Sequence, residues 1–349
     1  MASLGSVAKQ AGVSPATVSA VLNGRPSTIG VSAATRERIL RAARELNYQG
    51  NELARSMVRG RQHVIGLVVP TMGYEVVSTI LDGILDAAEK LRYYVKILRA
   101  DHATGAEVAS VVFQYRLAGV ICTQMPDAFV ASLHDGLTAR AIPLVVVDNS
   151  AAADWKFRVL SDDREGIRQA VAYLASLGHS RIAFLVSDSH SPWGQVRRQG
   201  FINAMKNVRP PDAEFRLFHG MDIQSDFSSI FWNGTQRALR ETAVICENDY
   251  LAMAFVRAAR QTGLHVPRDL SVVGFADLAG SAWCDPALTT VRQPFRAMGA
   301  QAMTRLINQI APAASPAPAE RSSERLPTQL IIRQSTAPVP LAPISGHHR

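Results

Sequence analysis

The chain has 349 residues, length enough for two or three domains with sizeable cores. Its net charge is +8, and the excess is concentrated: up to residue 61 there are nine lysines and arginines against three glutamates. That is the footprint of a nucleic-acid-binding module, although a solvated basic face would look the same. Composition argues against several classes. Three scattered cysteines, Cys122, Cys246 and Cys284, form no disulfide framework and no zinc spacing. No apolar run reaches the ~20 residues a membrane-spanning helix needs, and the start lacks the pattern of a signal peptide. A soluble, cytoplasmic protein with no metal and no cofactor is expected.

Residues 7–23, Val-Ala-Lys-Gln-Ala-Gly-Val-Ser-Pro-Ala-Thr-Val-Ser-Ala-Val-Leu-Asn, read as two short helices joined by a tight turn. Gly12 suits the positive φ of such a turn. Ser14 is placed to cap the second helix and Pro15 to open it. Val18, Val21 and Leu22 fall at i, i+3 and i+4, so they share a buried face, with Ala8 and Val13 as partners. The other side carries Pro15, Ala16, Thr17, Ser19, Ala20 and Asn23. Short side chains there allow close approach to a DNA major groove, and Ser, Thr and Asn can bond phosphates or base edges. An amphipathic helix pair that only packs is the alternative. A third helix is expected from about Ser32 through Leu46, after a loop at 24–30 that contains Arg25.

Residues 51–60, Asn-Glu-Leu-Ala-Arg-Ser-Met-Val-Arg-Gly, are too few for a stable free helix and by themselves read as a linker. From residue 63 the rhythm changes. Apolar strands are expected at 63–69, 94–98, 119–122 and 144–147, with a helix at 80–91 among them. The pattern restarts with strands at 181–186, 244–246 and 270–275. Alternating β and α segments predict parallel, doubly wound sheets. Two runs predict two similar lobes, with ligands gathering beyond the carboxyl ends of the strands. Residues 311–322 read as a surface loop, and the Pro-rich end carries no heptads.

The Gly-Val-Ser-Pro-Ala-Thr-Val-Ser run at 12–19, then Val-Leu-Asn at 21–23, resembles the headpiece of the LacI/GalR family, that of the lac and purine repressors. Four further stretches are similar to that family: Leu-Gly-His-Ser-Arg-Ile at 177–182, Glu-Asn-Asp-Tyr-Leu-Ala at 247–252, Ser-Val-Val-Gly-Phe at 271–275 and Pro-Ala-Leu-Thr-Thr-Val-Arg-Gln-Pro at 286–294. The resemblance implies an α/β protein: an N-terminal all-α helix-turn-helix headpiece plus a two-lobed periplasmic-binding-protein-like core of doubly wound parallel sheets. The implied division is a headpiece at 1–50, a hinge helix at 51–62, a first lobe at 63–160 and 292–322, a second lobe at 161–291 and 323–340, and a tail at 341–349.

Function follows as an expectation. The resemblance implies a homodimeric, cytoplasmic transcription regulator, a repressor, on a pseudo-palindromic double-stranded operator. DNA-contacting positions carried over are Ser14, Pro15, Ala16, Thr17, Ser19, Ala20, Asn23 and Arg25, with Ala54, Arg55 and the wedge residue Met57 in the hinge. A small-molecule effector, a sugar or sugar-like metabolite, is implied between the lobes. Its residues would be Tyr74, Asp148, Trp193, Arg197, Asn248 and Gln293. All but Gln293 have a plainer alternative: Asp148 as a loop cap, Arg197 as a surface ion pair, Asn248 as a helix cap, Tyr74 and Trp193 as ordinary aromatics. Two departures put a common sugar in doubt: Ala276 stands where the family usually has a sugar-binding acid, and residues 74–77 lack its frequent Asn-Pro-Phe-Phe. A solute-binding protein on the same core is the competing reading. No nucleophile, metal or phosphate-loop motif supports an enzyme.

Overall fold

The computed structural model describes residues 2–22, 30–48, 63–147, 157–187, 192–208, 214–220, 224–233, 236–310 and 324–339. The chain divides into two compact units, Met1–His63 and Val64–Arg349.

The described residues of the first unit form three helices, α1 (Leu4–Ala11), α2 (Pro15–Leu22) and α3 (Ala33–Glu45). Ser3 and Ser6 form a capping box at the start of α1, and Gly12 ends it in the left-handed region at φ 62°, which only glycine adopts without strain. Ser14 Oγ accepts from Thr17 N at 3.2 Å, and Ser32 Oγ accepts from Thr35 N at 3.2 Å. The same Ser-x-x-Thr device therefore opens both α2 and α3. Val7, Val18 and Ile39 are fully buried, one from each helix, and Ala8, Val13, Val21 and Leu22 pack around them. Arg38 Nε donates to the Ala11 carbonyl at 2.9 Å. This satisfies an orphan acceptor and places a cation at the negative end of α1.

Among its described residues the second unit has two six-stranded sheets and a two-stranded antiparallel pair, Trp232–Asn233 with Gln236–Arg237. Its elements in chain order are β1 (Val64–Val69), α4 (Glu75–Leu91), β2 (Tyr94–Arg99), α5 (Gly105–Gln114), β3 (Val120–Thr123), α6 (Asp127–Thr138), β4 (Leu144–Val147) and β5 (Arg158–Ser161). Then come α7 (Asp163–Ser176), β6 (Arg181–Leu185), α8 (Pro192–Met205), β7 (Glu214–Phe218), α9 (Ser228–Phe231), β8 (Trp232–Asn233), β9 (Gln236–Arg237), β10 (Ala243–Cys246) and α10 (Asp249–Gln261). The chain continues with β11 (Ser271–Ala276), α11 (Ala279–Trp283), β12 (Thr289–Arg292), α12 (Phe295–Ile310), β13 (Glu324–Leu326) and β14 (Gln329–Ile331). The first sheet has the order β13-β5-β4-β3-β1-β2 and the second β14-β12-β11-β10-β6-β7. All pairings in both are parallel except β14 with β12. Helices cover both faces of each sheet, so the inner strands read as continuous apolar runs. In the first lobe Ile65, Leu67 and Val69 face α4 and α12, while Val68, Val120 and Cys122 face α5 and α6. In the second, Ile182 and Phe184 face α7 and α8, and Ala183 and Leu185 face α10.

The chain passes between lobes three times: from β5 to α7, from β12 to α12 and from β13 to β14. The last passage lies after Leu326, beyond the change of lobe expected at 322–323. The reason is electrostatic: Glu324 accepts from Gln301 Nε2 at 2.8 Å and Arg305 Nε at 2.9 Å, both on α12, which holds β13 on the first sheet. The expected loop at 311–322 lies outside the described residues. The Pro-rich end is partly built in: Ser335 is fully buried, donates to the Val272 carbonyl at 2.6 Å and accepts from Thr289 N at 2.8 Å.

α4 and α12 pack backbone to backbone. A Cβ on Gly83 would overlap the Arg296 carbonyl, and one on Gly299 the Ile80 carbonyl. Gly83→Ala and Gly299→Ala are each expected to lower stability by ~1–3 kcal/mol in urea unfolding. Gly5→Ala, whose Cβ would meet only Ser3 Oγ at 3.6 Å, is expected to be neutral or stabilising by up to ~1 kcal/mol. A second expectation concerns pH. His179 is buried against Thr242 Oγ1 at 2.8 Å, Ser271 Oγ at 3.1 Å and the Ala337 carbonyl at 2.9 Å. Burial holds its imidazole below the ordinary value of 6.5. The unfolded chain therefore binds a proton here that the folded lobe refuses, and stability falls as pH drops through 6.5. His179→Gln should flatten that slope, by at most ~1.4 kcal/mol per pH unit, when unfolding midpoints are compared between pH 7.5 and 5.5.

Candidate functional site

On the headpiece, the helix expected to read DNA is α2. Ser14, Pro15 and Ala16 are exposed, and Thr17, Ser19 and Ala20 are half-exposed. The Thr17 hydroxyl pairs with that of Ser14 at 2.8 Å, so its O–H is available to a phosphate only where Ser14 is the donor of that pair. The outward side chains of α2 are all short. Asn23, Arg25, Ala54, Arg55 and Met57 lie outside the described residues.

In the second unit the carboxyl ends of the strands converge on the lobe crossings. Arg197 sits in the second turn of α8 and is 4% exposed. Its Nε donates to Asp163 Oδ2 at 2.7 Å, its Nη1 to the Glu247 carbonyl at 2.6 Å and its Nη2 to Gln293 Oε1 at 3.1 Å. The guanidinium also lies over the Phe275 ring, 4.0 Å from its centre. Gln293 Nε2 donates in turn to Ser161 Oγ at 2.7 Å and Asp163 Oδ1 at 3.1 Å, and Ser161 Oγ donates to Asp163 Oδ1 at 2.5 Å. Ser161, Asp163, Glu247 and Gln293 are all buried. Of the expected effector residues, the structure thus brings together Arg197 and Gln293. Arg197 is an ion pair, as its plainer alternative held, but a buried one.

Asn248 stands beside this cluster and caps α10: its Oδ1 accepts from Leu251 N at 2.9 Å. Its amide nitrogen reaches Glu247 Oε1 at 3.4 Å, an oxygen that also accepts from Ser187 Oγ. Trp193 lies one helical turn before Arg197 and is half-buried. Tyr74 is exposed and precedes α4, making no side-chain cap bond. Neither aromatic joins the hydrogen-bonded cluster. Asp148 lies outside the described residues.

The turn after β11 differs from a sugar-binding carboxylate site. Ala276 is 6% exposed and packs among first-lobe residues that include Val69, Val77 and Phe295. The following acid, Asp277, is committed: Oδ2 accepts from Arg292 Nε at 2.7 Å and Oδ1 from Arg333 Nη2 at 2.5 Å. Asp249 holds the same turn from below, accepting from Leu278 N at 2.8 Å, Ser281 Oγ at 2.7 Å and Thr290 Oγ1 at 2.5 Å. Burial pushes the Asp249 carboxyl above its ordinary value, against the pull of those donors. Gly274 makes room for it, since a Cβ there would strike Asp249.

Sequence reasoning missed Ser161, Asp163, Ser187 and Glu247. A signal was present for the first two: Ser-Asp-Asp at 161–163 ends one strand and begins a helix. Asp162 takes the cap by accepting from Glu165 N at 3.2 Å, which leaves Asp163 for the interior. Among the described residues no group of histidine, cysteine or carboxylate side chains is placed to hold a metal ion.

Removing one partner of a buried pair leaves the other charge uncompensated, at ~3–5 kcal/mol. Arg197→Met is therefore expected to lower stability by about that amount in chemical unfolding. Asp163→Asn combined with Arg197→Met should recover part of the loss; strict additivity of the two would show that they do not interact.

Residues 3–51 match the family described as bacterial regulatory proteins, lacI family, and residues 171–336 match the periplasmic binding protein-like domain. The chain is 34% identical to HTH-type transcriptional regulator reg1 of Streptomyces lividans, over 97% of each chain. It is 33% identical to HTH-type transcriptional repressor PurR of Erwinia tasmaniensis, over 97% of this chain and 98% of the repressor. A crystal structure of the lac repressor dimer bound to operator and the anti-inducer ONPF is similar with a TM-score of 0.80 at 26% identity, covering 96% of this chain and 99% of that one. The chain belongs to the lacI family of bacterial regulatory proteins, a transcription regulator with a helix-turn-helix headpiece followed by a two-lobed periplasmic-binding-protein-like domain.

Proposed function

We propose that this protein is a cytoplasmic homodimeric repressor. In this reading two headpieces bind a pseudo-palindromic operator, and a small molecule held between the lobes sets the affinity. The observation that carries it is the pairing in one chain of a basic helix-turn-helix unit with a domain whose lobe crossings meet at a buried polar cluster. One relative is named a repressor, and one similar structure is a repressor dimer on operator DNA with an anti-inducer. On DNA, Ser14, Thr17, Ser19, Asn23 and Arg25 hold phosphates or base edges, Pro15, Ala16 and Ala20 make apolar contacts, and Ala54, Arg55 and Met57 act in the hinge, with Met57 as a wedge that opens a base step. The effector is a sugar or sugar-like metabolite contacted by Arg197 and Gln293 at the crossings, with Tyr74, Asp148, Trp193 and Asn248 around it. The chain binds this molecule rather than turning it over. Among the described residues no helix is long and apolar enough to cross a membrane.

The control requires that the effector bind the two lobe arrangements with different affinity, and the same factor must appear in DNA affinity. A solute-binding protein would use the same lobes but has no use for a basic headpiece. The two readings separate on DNA. Duplexes selected from a random pool should bind with an affinity that falls steeply as salt rises, because each phosphate contact releases counterions. A flat response would remove the repressor reading. Ala20 offers no hydrogen bond, whereas arginine there can bond a guanine for ~1–3 kcal/mol of discrimination. Ala20→Arg is expected to shift the selected duplex sequence; an unchanged sequence would show that position 20 does not face the bases.

A further inference from the structure

The lobes also meet away from the crossings, through two helix starts. Glu75 is the first residue of α4 in the first lobe. Its Oε1 accepts from Ala279 N, the first residue of α11 in the second lobe, at 2.7 Å. Burial and the nearby Glu75 carboxylate push the phenol of Tyr250, on α10 in the second lobe, above its ordinary value. The first-turn N–H groups of a helix have no partner within it. Leu278, before α11, makes no side-chain cap bond. The start of α11 is therefore completed by the opposite lobe. Leu278, 4% exposed, and Ala276 pack beside this contact into the first-lobe core.

We propose that Glu75 and residues 276–279 form an inter-lobe clasp that holds the two lobes together without any ligand, so that an effector changes the lobe arrangement by making or breaking it. The proposal rests on the effector reading given above for what the motion is used for, but not for its existence. The carboxylate of Glu75 is the central group, because it caps a second-lobe helix from the first lobe. Breaking it frees the start of α11 and loosens the seat of Ala276 and Leu278.

Amide hydrogen exchange on the full chain, without DNA or small molecules, tests this. Glu75→Ala should accelerate exchange by about tenfold, the loss of a hydrogen bond to a charged group, in two separate places. These are the start of α11 in the second lobe and residues 76–84 with 295–303 in the first lobe, where Ala276 and Leu278 rest. Strands β3 and β10 should exchange as before. Glu75→Gln keeps the acceptor oxygen and should exchange nearly as wild type. Acceleration confined to the Ala279 amide would reduce Glu75 to a local cap and overturn the clasp, and acceleration spread evenly over both sheets would overturn it as a general loss of stability. No ligand or DNA enters the measurement, so failure here leaves the repressor reading standing, and failure to bind DNA leaves the clasp standing.

Discussion

The buried ion pair of Arg197 and Asp163 is the interaction around which the two-lobed domain is arranged. Removing two charges from water costs several kcal/mol for each. The cost is offset only because both are fully partnered. Asp163 accepts from Arg197, Ser161 and Gln293, and Arg197 donates to Asp163, Gln293 and the Glu247 carbonyl. These groups come from the end of β5, the start of α7, the end of β10 and the passage from β12 to α12. The third passage is tied to the same place, since Asp162 N donates to the Leu326 carbonyl at 2.9 Å and Thr328 Oγ1 donates to the Asp162 carbonyl at 3.0 Å. The pair is satisfied only when all three crossings lie side by side. A hydrophobic replacement of the pair would be no less stable, so its contribution is to register: it admits one arrangement of the crossings.

The headpiece is held in a different way. Its core is a handful of apolar side chains, so local devices carry much of its definition: two Ser-x-x-Thr caps, a capping box, a glycine at a left-handed turn, and Arg38 on the end of α1. Of these, only the Ser14–Thr17 cap uses the outward surface of α2. In the reading proposed above that surface meets DNA, yet it carries no long polar side chain. Affinity on this design comes chiefly from phosphates and the positive charge concentrated near the start of the chain. Sequence discrimination must then draw on methyl contacts and DNA shape as well as hydrogen bonds.

Much of this was legible in the sequence, for physical reasons. The headpiece is written in caps and in i, i+3, i+4 spacing, both local signals. The inner strands are buried on both faces and appear as apolar runs. What was not legible depends on partners distant in sequence. β13 is three residues, Glu-Arg-Leu, with no strand pattern, and it exists because α12 supplies donors to Glu324. In Ser-Asp-Asp at 161–163 one carboxylate caps a helix and the next is buried in the hub; only the fold separates them. Asn248 illustrates the reverse: the sequence left cap and cleft residue equally open, and the fold shows the cap, its Oδ1 accepting from Leu251 N, with the amide nitrogen turned to Glu247. Ser335 lies in a Pro-rich stretch and is nonetheless fully buried, because Val272 and Thr289, on the inner strands β11 and β12, pair with its hydroxyl.

Ala276 connects the cleft to the contact between lobes. It and Asp277 are consecutive residues in the positive-φ region, at 125° and 57°, a conformation that costs about 1–3 kcal/mol per residue unless its surroundings enforce it. Three sets of bonds enforce it here: Asp249 from within the lobe, Arg292 and Arg333 on Asp277, and Gln293 N, which donates to the Ala276 carbonyl at 3.5 Å. The turn is therefore rigid, and whatever side chain stands at 276 is delivered to the first lobe. A carboxylate so placed would have to remain solvated, and it would hold the lobes apart or require a ligand's hydroxyls to satisfy it. A methyl group instead packs among Val69, Val77 and Phe295 and favours contact. The exchange of an acid for alanine thus does more than remove a hydrogen-bonding group from the cleft. It makes lobe contact favourable on its own, which shifts the energetic demand on a small molecule between the lobes from filling a polar site to altering that contact.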